Sequence, residues 1–214
     1  MAATLALFED VLADRAPIAL PARPRMVFVV HGTAVVDGTS VAAGEAWHGQ
    51  HEATLRAGPE GAALWRWDLI GAGDAVPPPG GTGLRSREKL TAVLDNLPPG
   101  ELLLRGDSVA FPPGGCAFRH THQGPDIRCL IEGGIRIDTH GRSTSYGPGG
   151  AWFEAGPDPV FAQAAADRPS RFIRVMILPR SLLGQSSIRY VHRADRDKPK
   201  SQAYRVFVDA PIGG

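Results

Sequence analysis

An internal repeat constrains the fold of this chain more than any other feature of its sequence. The segment VVHGTAVVDGTSVAAGEAWHG, from Val29, parallels LIEGGIRIDTHGRSTSYGPGGAWFEAG, from Leu130. Each copy reads as a strand, a glycine turn and a second strand, and each carries the signature Gly-x-Ala-Trp, at Trp47 or Trp152. An apolar strand follows each signature, ALWRWDLI in the first copy and FIRVMILP in the second. Because repeated sequence indicates a repeated structural unit, the pattern predicts two related β lobes.

Turn-forming residues separate short apolar runs along the whole chain. Glycine and proline account for 26 and 19 of the 214 residues. The runs of Val, Ile, Leu and Phe between them have the length and composition of β-strands. We therefore predict an all-β protein.

Two segments depart from this pattern, because their apolar residues recur at helical spacing. Residues 3–14 predict a short N-terminal amphipathic helix, and residues 87–97 predict a helix between the lobes, with Ser86 as its N-cap. The Pro- and Gly-rich run 76–86 is the candidate linker. We accordingly divide the chain into an N-terminal lobe, residues 1–85, and a C-terminal lobe, residues 86–214.

The composition narrows the class of partner. The chain has 23 Lys and Arg against 22 Asp and Glu, a balance that lacks the basic surface of a nucleic-acid-binding protein. No stretch approaches the roughly 18 consecutive apolar residues of a membrane-spanning helix. Glu9 and Asp10 lie where a signal peptide would be apolar, and Cys116 and Cys129 are too few for a disulfide framework. We predict a cytoplasmic protein with a small-molecule partner, no nucleic-acid partner and no membrane span.

Candidate metal ligands are concentrated in FRHTHQGPDIRCLIEGG, residues 118–134. His120 and His122 are two positions apart, so a β-strand would direct both imidazoles to the same face. The turn QGP follows, and Asp126 opens the next strand. Two neutral imidazoles and one carboxylate form a facial set of ligands, which leaves positions for water, oxygen or substrate. We predict one divalent transition metal, Fe, Mn, Ni, Co or Zn, bound by these three residues.

The spacing of this segment resembles the first sequence motif of the cupin superfamily. Its successive positions are matched by Gly114, His120, His122, Asp126 and Gly133, with Asp where the family usually has Glu. HTHQGPD is also similar to the HTHPGPE of small bacterial cupins. The resemblance implies a double-stranded β-helix, or jelly roll, in a two-lobed, bicupin-like arrangement. The C-terminal lobe would carry the chemistry, and the N-terminal lobe, which has no HxH motif, would be degenerate.

The second cupin motif departs from the family pattern. YGPGGAWFEAGPDPVFAQA, residues 146–164, supplies both of its turns, but Val160 occupies the position of the metal-binding histidine. In one interpretation the first motif holds the metal alone, or Glu154, His140 or Gln163 completes the set. In the other, the barrel has lost its metal and binds an organic molecule by shape. The interpretation with a retained metal is favoured, because burying two histidines beside an acid costs free energy unless an ion or other partners satisfy their polar atoms.

Two charged residues near the ligands are candidates for catalysis. Arg128 lies two residues after Asp126 and would share its face, either as a clamp for a substrate acid or enolate or as an ion pair. The ion pair, with Asp126 or Glu132, is slightly favoured. Glu154 would act as a ligand or a general acid or base if it lies at the barrel wall, although solvent is its expected environment.

Together, the residues and the resemblance predict a metal-dependent enzyme that acts on a small oxygenated organic substrate. Dioxygenase-like, isomerase and lyase chemistry all remain open. The alternative is a non-catalytic protein that binds a small molecule, or has a structural role, without metal. A metal-independent sugar-nucleotide epimerase fits less well, because the chain shows no clustered basic pocket for phosphate. The terminal strand YRVFVD, residues 204–209, predicts a homodimer if it joins a neighbouring subunit's sheet.

Overall fold

A computed structural model of the protein describes residues 3–74 and 79–213. In these residues the chain forms seventeen β-strands and two short 3-10 helices, Arg180–Leu182 and Arg193–Asp195, with no α-helix. None of the described helices is long and apolar enough to cross a membrane. The prediction of an all-β protein is confirmed. The chain divides into two compact units, Met1–Asp95 with Ile212–Gly214, and Asn96–Pro211.

The first unit is a seven-stranded antiparallel sheet. Its strands β4, β3, β6, β1 and β7 lie side by side in that order, while β2 pairs with β6 and β5 pairs with β3. The bounds are β1 (Ala3–Leu12), β2 (Pro17–Leu20), β3 (Arg25–Val36), β4 (Thr39–Ala42), β5 (Ala46–Gly49), β6 (Ala53–Ile70) and β7 (Leu84–Leu94).

Both predicted helices are wrong, because the two segments form paired strands. The N-terminal segment is β1, which lies between β6 and β7. Residues 5–8 of β1 are all buried, as in a strand covered on both faces, whereas a surface helix would bury one stripe. The second segment is β7, where Ser86 donates a hydrogen bond to Asp10 and caps no helix. The predicted lobe boundary between residues 85 and 86 falls inside β7, whose pairing with β1 extends to Leu94.

The second unit contains two five-stranded antiparallel sheets, in the orders β13-β10-β15-β8-β17 and β12-β11-β14-β9-β16. Buried apolar side chains from both sheets, including Val109, Ile135, Trp152 and Phe172, form one core cluster. The bounds are β8 (Leu102–Phe111), β9 (Cys116–His122), β10 (Asp126–Glu132), β11 (Ile135–Thr139), β12 (Arg142–Tyr146), β13 (Ala151–Glu154), β14 (Val160–Ala164), β15 (Ser170–Pro179), β16 (Ile188–Tyr190) and β17 (Ala203–Pro211).

The repeated Gly-x-Ala-Trp signature has the same strand register in each unit. Trp47 of β5 lies opposite Val27 of β3, and Trp152 of β13 lies opposite Arg128 of β10. The partner strands β3 and β10 each pair on their other edge with a long strand, β6 and β15 respectively. The sequence repeat therefore corresponds to a repeated pattern of strand pairing.

The glycine that the sequence places at a turn in each copy has the same backbone requirement, although Gly32 lies inside β3 whereas Gly133 lies between β10 and β11. At Gly32 and Gly133 the φ angles are +74° and +82°. A Cβ added at either position would lie 2.2 Å from a backbone carbonyl oxygen. Glycine is required at both positions, because the left-handed backbone and the close approach each exclude a side chain.

A buried network of ion pairs crosses the sheet of the first unit. Arg66 donates to the two oxygens of Asp10 at 2.7 and 3.3 Å, and also to Asp68. Arg25 donates to Asp68 at 3.0 Å, and all four side chains are at most 2% exposed. This network was not predicted from the sequence, although Arg66 and Asp68 alternate within the apolar run ALWRWDLI. Each charge depends on its partner, because a lone charge buried in a sheet is very unfavourable.

Candidate metal centre

The turn between β9 and β10, residues 123–125, holds two candidate ligands at its ends. His122 is the last residue of β9, and Asp126 is the first of β10. The turn is fixed on β15, because the Ile177 N–H donates to the Pro125 carbonyl at 2.9 Å. A Cβ added at Gly124 would lie 2.0 Å from the Ile177 carbonyl oxygen. The close approach of two backbones therefore requires glycine in this turn.

The variant Gly124→Ala will lower the free energy of unfolding by about 1–3 kcal/mol, because the turn must move away from β15. Gly147→Ala is the matched control, since a Cβ there has no neighbour within 4 Å. The control will change stability by less than about 0.5 kcal/mol. Denaturant unfolding of both variants measures the difference, and equal effects would contradict the close approach.

His120 and His122 are both buried on one side of β9, as their spacing predicts. Each is 3% exposed. Their Nε2 atoms lie 3.1 Å apart, and the two rings are almost perpendicular, at 87°. The His120 Nδ1–H donates to the Phe118 carbonyl at 2.6 Å, which leaves the Nε2 lone pair free in the neutral ring. His122 Nδ1 lies 3.3 Å from the hydroxyl oxygen of Ser187.

Burial keeps both imidazoles neutral. It lowers the pKa of His120 to about 4, and the positive charges of Arg128 and Arg174 act in the same direction. Burial also holds the pKa of His122 well below its usual value, again with contributions from the two arginines. Neutral imidazole is the form that coordinates metal ions, so both rings are in the binding form at neutral pH.

Two buried carboxylates lie near the histidines and share one arginine. Arg128 donates to both oxygens of Asp126, at 2.6 and 3.0 Å, so the expected ion pair is present. The Arg128 Nη2 also lies 2.6 Å from Glu154 Oε2. The expectation that Glu154 faces solvent is wrong: it is 8% exposed, because β13 pairs with β10 and places Glu154 opposite Asp126.

Glu154 has an environment suited to proton transfer. The Trp152 Nε1–H donates to its Oε1 at 3.0 Å, while its buried Oε2 accepts no hydrogen bond of normal geometry despite the nearby arginine. Burial raises the pKa of Glu154 to about 7, a shift that Arg128 opposes and Asp126 reinforces. The side chain therefore changes its charge near neutral pH.

The donor atoms are arranged as in a mononuclear site. One ligand atom from each of His122, Asp126 and Glu154 lies within 4.8 Å of the other two. His120 is not part of this group, although its Nε2 lies 3.1 Å from the His122 Nε2. Two nitrogens bound to one ion at about 2.1 Å and at right angles would be about 3 Å apart. The observed separation of the two Nε2 atoms therefore fits adjacent ligands, and the set of imidazoles and carboxylates fits a divalent transition metal.

Neither of the other residues considered as a completing ligand joins this cluster. The His140 side chain is 64% exposed and lies 3.3 Å from Asp158. The Gln163 side chain donates to the Gly114 carbonyl at 2.6 Å. Val160 is buried directly opposite His120 in the pairing of β14 with β9. Of the residues considered, Glu154 alone provides a further ligand atom beside the first motif.

A cavity of about 330 Å³ lies in the second unit, and neither His120 nor His122 is among its lining residues. One of its walls is Arg174, which donates to both oxygens of Asp107 at 2.7 and 3.0 Å. Ser187 forms another wall and contacts His122 from that side. None of these three residues was predicted from the sequence. The charge of Arg174 within the apolar run FIRVMILP was an available signal, whereas Ser187 lies in a loop without any pattern.

No protein-family model and no curated protein sequence matches the chain. A serine-to-alanine variant of oxalate decarboxylase from Bacillus subtilis has a TM-score of 0.66 at 14% identity, over 92% of this chain and 73% of that chain. A tryptophan-to-tyrosine variant gives 0.66 at 13% identity with the same coverage. The enzyme at pH 4.6 gives 0.64 at 13%, over 92% and 72%. The chain therefore shares its fold with oxalate decarboxylase.

Proposed function

We propose that the chain is a metal-dependent enzyme of the cupin superfamily that acts on a small oxygenated organic molecule, such as an organic acid. His120, His122 and Asp126 would hold one divalent transition metal, Fe, Mn, Ni, Co or Zn. The observation that carries the proposal is the 3.1 Å contact of two buried Nε2 atoms. When the His122 Nδ1–H donates to Ser187, both Nε2 lone pairs face each other. A shared cation relieves that repulsion.

The neighbouring side chains have separate proposed roles. A metal held there would polarise a substrate oxygen as a Lewis acid or activate oxygen. Arg128 orients Asp126 and offsets part of the charge of the two carboxylates. Glu154 is the proposed general acid or base, because a pKa of about 7 lets it gain or lose a proton near neutral pH. Lyase chemistry is the first to test, since the similar structures are oxalate decarboxylases, followed by dioxygenase and isomerase chemistry.

We also propose that the two units are related lobes of a double-stranded β-helix. The matching registers of Trp47 and Trp152 support this relation. The first lobe would be degenerate, and the boundary would follow Asp95, since β7 belongs to the first compact unit. A homodimer and a cytoplasmic location stay predictions.

Metal binding will depend on pH through Glu154. Below a pKa of about 7 this carboxyl is protonated, so the negative charge that attracts the cation is lost. We expect the affinity for Mn²⁺ or Co²⁺ to rise by up to about tenfold per unit between pH 5 and 7, and then to level off. Titrations at several pH values measure this dependence in the wild type and in Glu154→Gln.

The variant Glu154→Gln also separates two roles of this residue. As a general acid or base that contributes only its charge to binding, Glu154 is not a ligand, so the variant keeps one metal per chain, binds it more weakly at pH 7 and loses the rise with pH. Loss of the metal itself would make Glu154 a ligand. An unchanged rise with pH in the variant would contradict the assignment of the titrating group.

The rival function, a non-catalytic binding protein, is favoured by the other tautomer of His122. If the Ser187 hydroxyl donates to Nδ1, the His122 Nε2–H can donate to His120 across the same short distance, and both rings are satisfied without an ion. Incubation with each of the five metals, followed by desalting and elemental analysis, tests the two functions. One metal per chain supports the enzyme, and a protein that retains none supports the rival.

A further inference from the structure

The cavity of the second unit is large enough for a small organic ligand. Its volume of about 330 Å³ falls in the range of ligand pockets. Side chains of β8, β15, β16 and β17 line it, together with residues 184–187 and two residues of the loop before β17, Lys200 and Gln202. The described walls belong to the second unit.

Two arginines of the cavity wall are neutralised by carboxylates. Arg105 donates to both oxygens of Asp209, at 3.0 and 2.9 Å. Arg174 forms the bidentate pair with Asp107 described above. These four side chains leave no net charge on their part of the wall.

Lys200 is different, because it forms no ion pair with a carboxylate in the described part of the chain. Its ammonium group donates to the backbone carbonyls of Asp195 and Arg196, the latter at 3.2 Å. It also lies 4.3 Å from the centre of the Tyr190 ring. Neutral partners leave a full positive charge at the cavity wall. Lys200 is exposed, so water solvates this charge, and an anionic group of a ligand would replace that water.

The remaining walls indicate the rest of the ligand. The Gln202 Oε1 is buried and has no hydrogen-bond partner among the described residues, so a ligand donor such as a hydroxyl would satisfy it. Tyr204 and Val206 line the cavity and are nevertheless 47% and 55% exposed. The rings of Tyr190 and Tyr204 offer flat apolar surface, which favours an aromatic body.

We propose that this cavity binds a hydroxylated aromatic carboxylate. The carboxylate contacts Lys200, the ring packs against the tyrosines and Val206, and the hydroxyl donates to Gln202. That this ligand is the substrate rests on the proposed function. Ser187 connects the two sites, since it lines the cavity and contacts the candidate ligand His122.

The test is calorimetric titration of the full chain with 4-hydroxybenzoate, before and after removal of metal by a chelator. We expect saturable binding that Lys200→Met weakens by about 10- to 100-fold, because a charge-assisted hydrogen bond is lost. The uncharged analogue 4-hydroxybenzamide will bind the wild type and the variant equally. Lys200→Arg keeps the charge and will restore the affinity for the carboxylate.

Lys198→Met is the matched control, because Lys198 lies in the same loop but pairs with Asp195 at 2.6 Å and does not line the cavity. This variant will bind 4-hydroxybenzoate like the wild type. Absence of saturable binding to the wild type, or equal binding by the Lys200→Met and Lys198→Met variants, would overturn the proposal. If the protein takes up no metal but binds 4-hydroxybenzoate in a Lys200-dependent way, the proposed enzyme is refuted and this ligand site is supported. One metal per chain without binding of 4-hydroxybenzoate would refute this ligand site and support the proposed enzyme.

Discussion

Replacing His120 with alanine will weaken the binding of a divalent metal by at least about 100-fold, a larger loss than that caused by removing a residue that only orients a ligand. The His120 Nε2 is free for coordination, because its Nδ1–H is committed to the Phe118 carbonyl. No other described imidazole can take its place, since Val160 lies opposite it. Competition with a chromophoric chelator will measure the affinities of the wild type and the variant.

His140→Ala is the control for this experiment. His140 is mostly exposed and pairs with Asp158, so its removal will leave metal affinity within about twofold of the wild type. Thermal unfolding without metal shows whether His120→Ala still folds, and His122→Ala provides a second test of the same site. If a folded His120→Ala variant binds the metal as tightly as the wild type, the two histidines do not share an ion.

Asp10→Ala will lower the free energy of unfolding of the first unit by about 3–5 kcal/mol, which is the cost of removing one partner from a buried ion pair. Asp10 accepts two hydrogen bonds from Arg66 and one from Ser86. Its loss leaves Arg66 in the sheet with Asp68 as its remaining carboxylate partner. Chemical denaturation, followed by tryptophan fluorescence from Trp65 and Trp67, measures the change.

Arg87→Ala is the matched control on the neighbouring strand β7. Arg87 pairs with Glu9 at 2.9 Å, and its side chain is 67% exposed. Water screens such a pair, so the control will cost about 1 kcal/mol or less. Equal losses in the two variants would show that burial of the network contributes nothing to the stability of the first unit.

The strand content and the histidine face were predictable because both depend on local periodicity. Alternation within CAFRHTH is enough to place His120 and His122 on one face of a strand. The turn at Gly124 and the position of Asp126 at the start of β10 follow from adjacent residues in the same way. These features need no knowledge of which strands become neighbours.

The errors arose where non-local pairing decides the structure. The apolar residues of β1 match helical spacing, yet strands on both edges bury it as an extended chain. Glu154 follows two aromatic residues in sequence, and its inward position is set by pairing with β10. The neutralisation of Arg174 by Asp107 joins residues far apart in the chain. No pattern within a single segment contains that information.

The valine opposite His120 has a consequence for which ion the centre would prefer. An imidazole at position 160 would add a third nitrogen donor, whereas valine leaves two imidazoles and one carboxylate as the proposed ligands. Compared with a site of three imidazoles, the proposed site is biased toward harder ions such as manganese and ferrous iron. The side chain of Val160 on β14 would thus influence which metal is bound, although it does not contact the ion.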